Sequence, residues 1–167
     1  MSRDLNASLN KLYALRAFGI KPGLDPVRGL LAGLGDPQHA FAVIHVASGR
    51  VAGATRYMDI NPAHRSLEIG GTWYGLEFQH TVVNTECKYL LLRYAFETLG
   101  TVRVQFKADI RNERSWRAIE RIGAKREGIL RNHYILPDGV IRDSVFYSVI
   151  ESEWPGVKER LEEKLER

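Results

Sequence analysis

From Val102 to Asp109 the chain alternates without a break: Val102, Val104, Phe106 and Ala108 on one side, Arg103, Gln105, Lys107 and Asp109 on the other. That period of two is a strand. It changes at once to a helical pattern, with Asn112 as N-cap, Trp116, Ile119 and Ile122 as the apolar stripe, and Gly123 as the stop. A strand feeding directly into a helix commits this part of the chain to an α/β arrangement. A second unit of the same kind precedes it. Leu67 to Tyr74 reads as a strand, Gly75 to Asn84 as a loop, and 85–99 as a helix. Cys87, Leu90, Leu91, Tyr94, Ala95 and Leu99 form its stripe, Asn84 is its expected N-cap, and Gly100 its C′ residue. Two neighbouring strands that each enter a helix at their C-terminal end make a crevice lined by helix N-termini, which suits a phosphorylated ligand.

The remaining segments fill in around these units. Leu5, Leu9, Leu12 and Leu15 space a helix over 4–18, and PVRGLLAGL spaces a short second helix over 26–34. Ala40 to Val46 and Val51 to Met58 read as a hairpin. Strands at 124–135 and 140–150 are joined by Pro137-Asp138-Gly139, and a charged helix over 151–167 follows. The pattern predicts one domain over 1–167, a mixed sheet with helices on both faces, and no opening strand within an atypical segment 1–39. Gly70 and Gly71, adjacent inside a strand, suggest close approach of a ligand or another backbone.

Charge narrows the ligand. The chain carries +4 overall, but residues 101–131 hold nine basic side chains against four acids. The excess therefore flanks the crevice, as an anion site would. The basic segment lacks the interleaved aromatics of a nucleic-acid stacking platform. A single cysteine excludes a disulfide framework, and no histidine spacing matches a metal motif. With no run of roughly 18 apolar residues and no signal core, a cytoplasmic protein away from membranes is expected.

The segments LEIGGTWYG, NTECKYLLLRYAFE, RVQFKADIRNERSWRAIERIGAKREG and DGVIRDSVFYSVI with EWP resemble the GNAT N-acetyltransferases. The similarity is greatest to the branch that includes the ribosomal-protein N-terminal acetyltransferases. The resemblance implies a sheet splayed between the strands at 67–74 and 102–109, with acetyl-CoA as co-substrate in the V and no metal. By the same resemblance, Thr72, Trp73 and Tyr74 border the pantetheine. Gln79, His80, Thr81, Val82, Val83, Asn84 and Thr85 form the pyrophosphate loop, and Asn112 and Ser115 open the second helix. Val82 and Asn84 stand where the family pattern has glycine, and a β-branched residue resists the positive φ that glycine permits. Ile119 stands where the family's general-acid tyrosine is found. Its first forty residues lack the family's opening strand, which implies a shortened member or a homodimer whose partner chain completes the edge.

The chemistry asks for a base to take a proton from the attacking amine, whose pKa as a protein α-amino group is about 7.7–8.0. Glu68 falls at the family's spacing for that base. A backbone N–H among Thr72–Tyr74 would stabilise the oxyanion, and Ser115 would hydrogen-bond the leaving sulfur. The expected reaction is direct transfer of acetyl to a primary amine, with a protein or peptide N-terminus favoured over a small-molecule amine. The alternative is a catalytically weak CoA-binding sensor or scaffold. Plainer roles stand beside these: Glu68 as cross-strand partner of a basic residue, Ser115 as a first-turn helix residue, and Cys87 and Trp73 as core. At least one of Arg111, Arg114 and Arg117 is expected to contact the ligand.

Overall fold

The computed structural model describes residues 13–17 and 38–166. They form one seven-stranded sheet in the order β1-β2-β3-β4-β5-β7-β6. Its strands are β1 (Tyr13–Ala17), β2 (Gln38–His45), β3 (Val51–Asn61), β4 (Ser66–Tyr74), β5 (Arg103–Asp109), β6 (Lys125–Ile135) and β7 (Ile141–Ile150). Every neighbouring pair is antiparallel except β4 and β5. The helices are α1 (Val83–Arg93), α2 (Glu113–Arg121) and α3 (Trp154–Leu165).

An opening strand is present after all. Tyr13–Ala17 pairs with β2 from Tyr13↔His45 to Ala17↔Phe41, where leucine spacing predicts part of a helix. Five residues are too few for alternation to outvote a run of leucines at helical intervals. With β1 on the edge, the missing-strand argument for a partner chain falls away. The rest of the helix expected at 4–18, and the whole of that expected at 26–34, lie outside the described residues.

The face of the sheet that α1 and α2 cover is apolar and close-packed. Tyr57, Ile69, Leu67, Val104, Val149, Phe106 and Tyr147 line it through their cross-strand pairings, and all are buried. The Tyr57 hydroxyl donates to the Leu91 carbonyl at 2.6 Å, and the Tyr147 hydroxyl to Glu120 at 2.9 Å. These bonds satisfy the only polar atoms on two large buried rings and fix α1 and α2 against the sheet. Helix α3 closes over α1: Tyr89 donates to Glu162, and Trp154 stacks on Phe96 at 5.4 Å. This second contact explains why α1 is buried beyond its single predicted stripe.

The boundaries of α1 differ from the expected ones. It begins at Val83 with Val82 as N-cap, so Asn84 is inside the first turn rather than capping it. Thr81 does the capping work instead, accepting from Val83 N at 3.3 Å and donating to the Phe78 carbonyl at 2.7 Å. At its other end α1 widens into one π turn, Tyr94–Thr98, before Gly100 at φ 64° ends it.

Two strands part, and that parting shapes the molecule. β4 and β5 pair in parallel only at Ser66↔Arg103, Leu67↔Val104 and Glu68↔Gln105. Beyond Glu68 they diverge, although β4 runs on to Tyr74 and β5 to Asp109. The cause lies in β4. Between Gly70, opposite Arg56, and Trp73, opposite Ala54, it carries two residues against the single Thr55 of β3. The extra residue is a bulge with Gly71 at φ 54°. A side chain there would be strained and would meet the Arg56 guanidinium.

Candidate active site

The bulge re-aims every residue after it. Simple alternation puts Trp73 with Leu67 and Ile69. In the structure Thr72 and Tyr74 turn toward α1, and Trp73 turns to the opposite face, where it is 59% exposed. Beyond Glu68, the edge of β4 that faces β5 pairs with no strand among the described residues, so backbone groups there, apart from the Tyr74 carbonyl that Gln79 takes, can meet a ligand in the cleft.

The loop after β4 is a turn, Leu76–Phe78, followed by Gln79 to Val82. Gln79 holds both walls of the cleft. Its Nε2 donates to the Tyr74 carbonyl at 2.9 Å, and its Oε1 accepts from Arg114 of α2 at 2.8 Å. The strain expected at Val82 falls elsewhere. Val82 lies at φ −70°, ψ −9°, ordinary helical backbone, and the positive φ belongs to His80 at 61°. The glycine-free loop therefore reaches the helix by a different path, with both residues exposed. Val83 points into the core, leaving only its backbone for a ligand. The Asn84 side chain receives the Tyr74 hydroxyl at 3.4 Å, and Thr85 is half-buried in the same turn. Amides of this first turn lack carbonyl partners within the helix and carry the positive end of its dipole.

On the other wall α2 opens as expected. The Asn112 side chain accepts from the Ser115 amide at 3.1 Å, which places Ser115 half-buried in the first turn. Of the three arginines, Arg111 is tied bidentate to Asp109, and Arg117 makes a single contact with Glu113. The Arg111 guanidinium holds the Asp109 carboxyl down to about 2. Arg114 alone of the three reaches across to the loop. Ile119 is buried in the core.

Glu68 sits at the last β4–β5 pair, on the sheet face opposite α1 and α2, and is 1% exposed. Its Oε2 accepts from Gln105 at 2.9 Å and meets the Lys107 ammonium at 3.1 Å. Its Oε1 lies beside Gly70, where a Cβ would stand 3.2 Å away. Burial works against the charge on Lys107, but Tyr134 and Glu68 together hold it above the ordinary lysine range. No bond joins Glu68 to Ser115 among the described residues. They occupy the apex of the V and its α2 wall.

Sequence reasoning passes over Lys88. Its Nζ is buried between α1 and the sheet, donating to Thr72 at 2.6 Å and more weakly to Thr55 at 3.4 Å. Burial lowers its pKa to about 8. The signal was available: Lys88 precedes Leu91 and Leu92 by three and four residues, on the buried side of the helix. Cys87 beside it is fully buried, and burial pushes its thiol up, away from nucleophilic chemistry. Among the described residues no cluster of His, Cys, Asp or Glu could hold a metal ion. No described helix is long and apolar enough to cross a membrane.

A parted parallel pair, a bulge on one strand and a helix N-terminus at its end together match a known architecture. The acetyltransferase (GNAT) domain model matches residues 27–125. The chain belongs to the GNAT acetyltransferase family. Among curated proteins it is 34% identical over 110 residues to the "Putative ribosomal N-acetyltransferase YdaF" of Bacillus subtilis (strain 168). That match covers 66% of this chain and 59% of the Bacillus protein, so it spans less than two thirds of that relative's length. Among solved structures, a GCN5-related N-acetyltransferase from Brucella melitensis superimposes with a TM-score of 0.74 at 35% identity, covering 83% of this chain and 64% of that one. A "putative acetyltransferase" from T. thermophilus does so with a TM-score of 0.72 at 45% identity, covering 96% and 88%. The splayed GNAT sheet is thus the sheet found here, opening strand included.

Proposed function

We propose that this GNAT chain transfers the acetyl group of acetyl-CoA directly to a primary amine in the cleft between β4 and β5. The observation that carries the reading is the end of β4–β5 pairing at Glu68, which leaves the bulged edge of β4 around Thr72 and Trp73 without a strand partner among the described residues. The residues present fit such a donor. An open strand edge pairs with the amide groups of a pantetheine arm as it would with another strand. At its end, first-turn amides of α1, Gln79 and Arg114 provide hydrogen-bond donors and positive charge for a pyrophosphate.

The chain's own groups then divide the work. Glu68 takes the amine proton through Oε1, its other oxygen anchored by Lys107 and Gln105. Since the conjugate acid of an α-amino group titrates near 8, a modest base suffices. A backbone N–H of the β4 bulge stabilises the developing oxyanion. The Ser115 hydroxyl, in a turn fixed by Asn112, donates to the departing sulfur. A buried isoleucine at 119 supplies no alternative hydroxyl. No nucleophile of the chain takes part, so acetyl passes to the amine without an acyl-enzyme.

For the acceptor we infer a protein or peptide N-terminus ahead of a small-molecule amine. The curated relative named for ribosomal N-acetylation supports this order. The solved spermidine/spermine N-acetyltransferase from Vibrio cholerae is 19% identical and shares the fold alone. A CoA-binding sensor is the second reading, favoured by Ile119 where a general acid is expected. Calorimetric titration with acetyl-CoA, followed by a panel of free and N-blocked amines, separates the readings. Binding with turnover on free N-termini is expected. Binding without turnover on any amine points to the sensor, and no binding at millimolar ligand overturns both.

A further inference from the structure

We propose that Lys88 is a positioning residue for acetyl transfer: from the helix side of the sheet its ammonium fixes the Thr72 hydroxyl, and with it the β4 bulge that faces the cleft. This rests on the reading that acetyl-CoA lies along β4.

Lys88 is 6% exposed, and its nearest acceptors are two hydroxyls rather than a carboxylate. Taking an ammonium out of water without an ionic partner is costly. Nothing in the packing demands that cost. The Thr55 and Thr72 hydroxyls are 2.9 Å apart and would satisfy each other, and an isosteric methionine would fill the same space. What the cation adds is a third, charged anchor at one point of β4. Thr72 is the residue at which the strand leaves its bulge, next to Gly71 at φ 54°. A bulge defined only by backbone bonds to β3 retains local freedom. One tied through its side chain to a helix does not, and sub-ångström placement of donors governs acyl-transfer rates.

Burial opposes the Lys88 charge and Cys87 favours it; the elements packed around it bring the following groups. From β3 come Thr55 and Tyr57, whose phenol burial holds well above its ordinary value. From β4 come Thr72 and Tyr74, the latter bonded to Cys87. From α1 itself come the Cys87 thiol, raised by burial, and Glu86, which acts on that thiol.

The test uses the full-length protein and the variants K88M, T72V and T72S. Acetyl-CoA affinity is measured by calorimetry from neutral to alkaline pH, with kcat and both KM values on a peptide amine, and with Tm. K88M and T72V are expected to lose roughly 10- to 100-fold in kcat/KM for acetyl-CoA, with KM for the amine unchanged. T72S, which keeps the hydroxyl that Lys88 holds, should recover most of what T72V loses. Wild-type affinity for acetyl-CoA should weaken as pH passes about 8, and K88M should be flat there. If folded K88M binds and turns over like wild type, or differs only in Tm, the proposal is overturned. Should K88M fail to fold, equal kinetics for T72V and T72S overturn it in the same way. Failure of wild type itself to bind acetyl-CoA sinks the underlying reading instead, and is seen before any variant is made.

Discussion

Glu68 and Lys88 lie on opposite faces of one strand region and are both charged, both buried, and differently compensated. Glu68 has an ammonium at 3.1 Å; Lys88 has hydroxyls. Their substitutions should therefore fail differently. E68Q keeps the shape and the Gln105 contact but removes the base, so kcat is expected to fall ~100-fold with acetyl-CoA affinity retained. Unchanged kcat would reduce Glu68 to a structural partner of Lys107. For Lys88 the stability sign is set by burial. Its folded pKa near 8 lies below the unfolded value of 10.5, so the unfolded chain holds the proton more tightly between them. Folding carries a penalty of about 3 kcal/mol that is fully present below the lower value and fades toward the upper one. Urea unfolding of K88M should show a more stable protein near neutral pH, converging on wild type at alkaline pH. A less stable K88M near neutral pH would contradict this.

Elements carry the next set of consequences. The cleft depends on the β4 bulge, and the bulge on Gly71. G71A is expected to cost about 1–3 kcal/mol and to abolish acetyl-CoA binding, since alanine at φ 54° is strained and collides with Arg56. Wild-type-like binding by G71A would mean that the bulge does not shape the site. Across the cleft, R114Q should raise KM for acetyl-CoA about tenfold, and by less at high salt, because an exposed guanidinium acts on phosphate through screened charge. An R114Q effect independent of salt would assign Arg114 to the Gln79 bond alone. Both units that carry these residues were legible in the sequence. The strand at 102–109, the Asn112 cap and the stop at Gly123 came directly from alternation and capping chemistry. The hidden features are those in which tertiary context outweighs local pattern. β1 is a strand because β2 pairs with it. Val82 avoids positive φ because His80 takes it. Trp73 changes face because a single inserted residue reverses alternation, which no count of apolar positions reveals. Lys88 is buried because α3 and the sheet enclose α1 on two sides.

At the scale of the whole molecule, the charge excess in 101–131 takes on a definite form. Much of it is internally paired. Arg103 meets Glu127, Lys107 meets Glu68, Arg111 meets Asp109, Arg117 meets Glu113, and Lys125 meets Glu153. Against that background Arg114 stands out as the arginine that crosses the mouth of the cleft, and the anion-site reading narrows from a basic segment to one wall. The described strands and helices thus converge on a single crevice, held open at one end by Gly71 and braced behind by Lys88. Acetyl is proposed to pass directly from donor to amine in that crevice. Intact-mass spectrometry of protein and peptide after incubation with acetyl-CoA tests it. The free-amine peptide should become heavier by one acetyl group, an N-blocked control should stay untouched, and the mass of the enzyme should never change. A stably acetylated enzyme formed with acetyl-CoA alone, and discharged by the peptide, would contradict it.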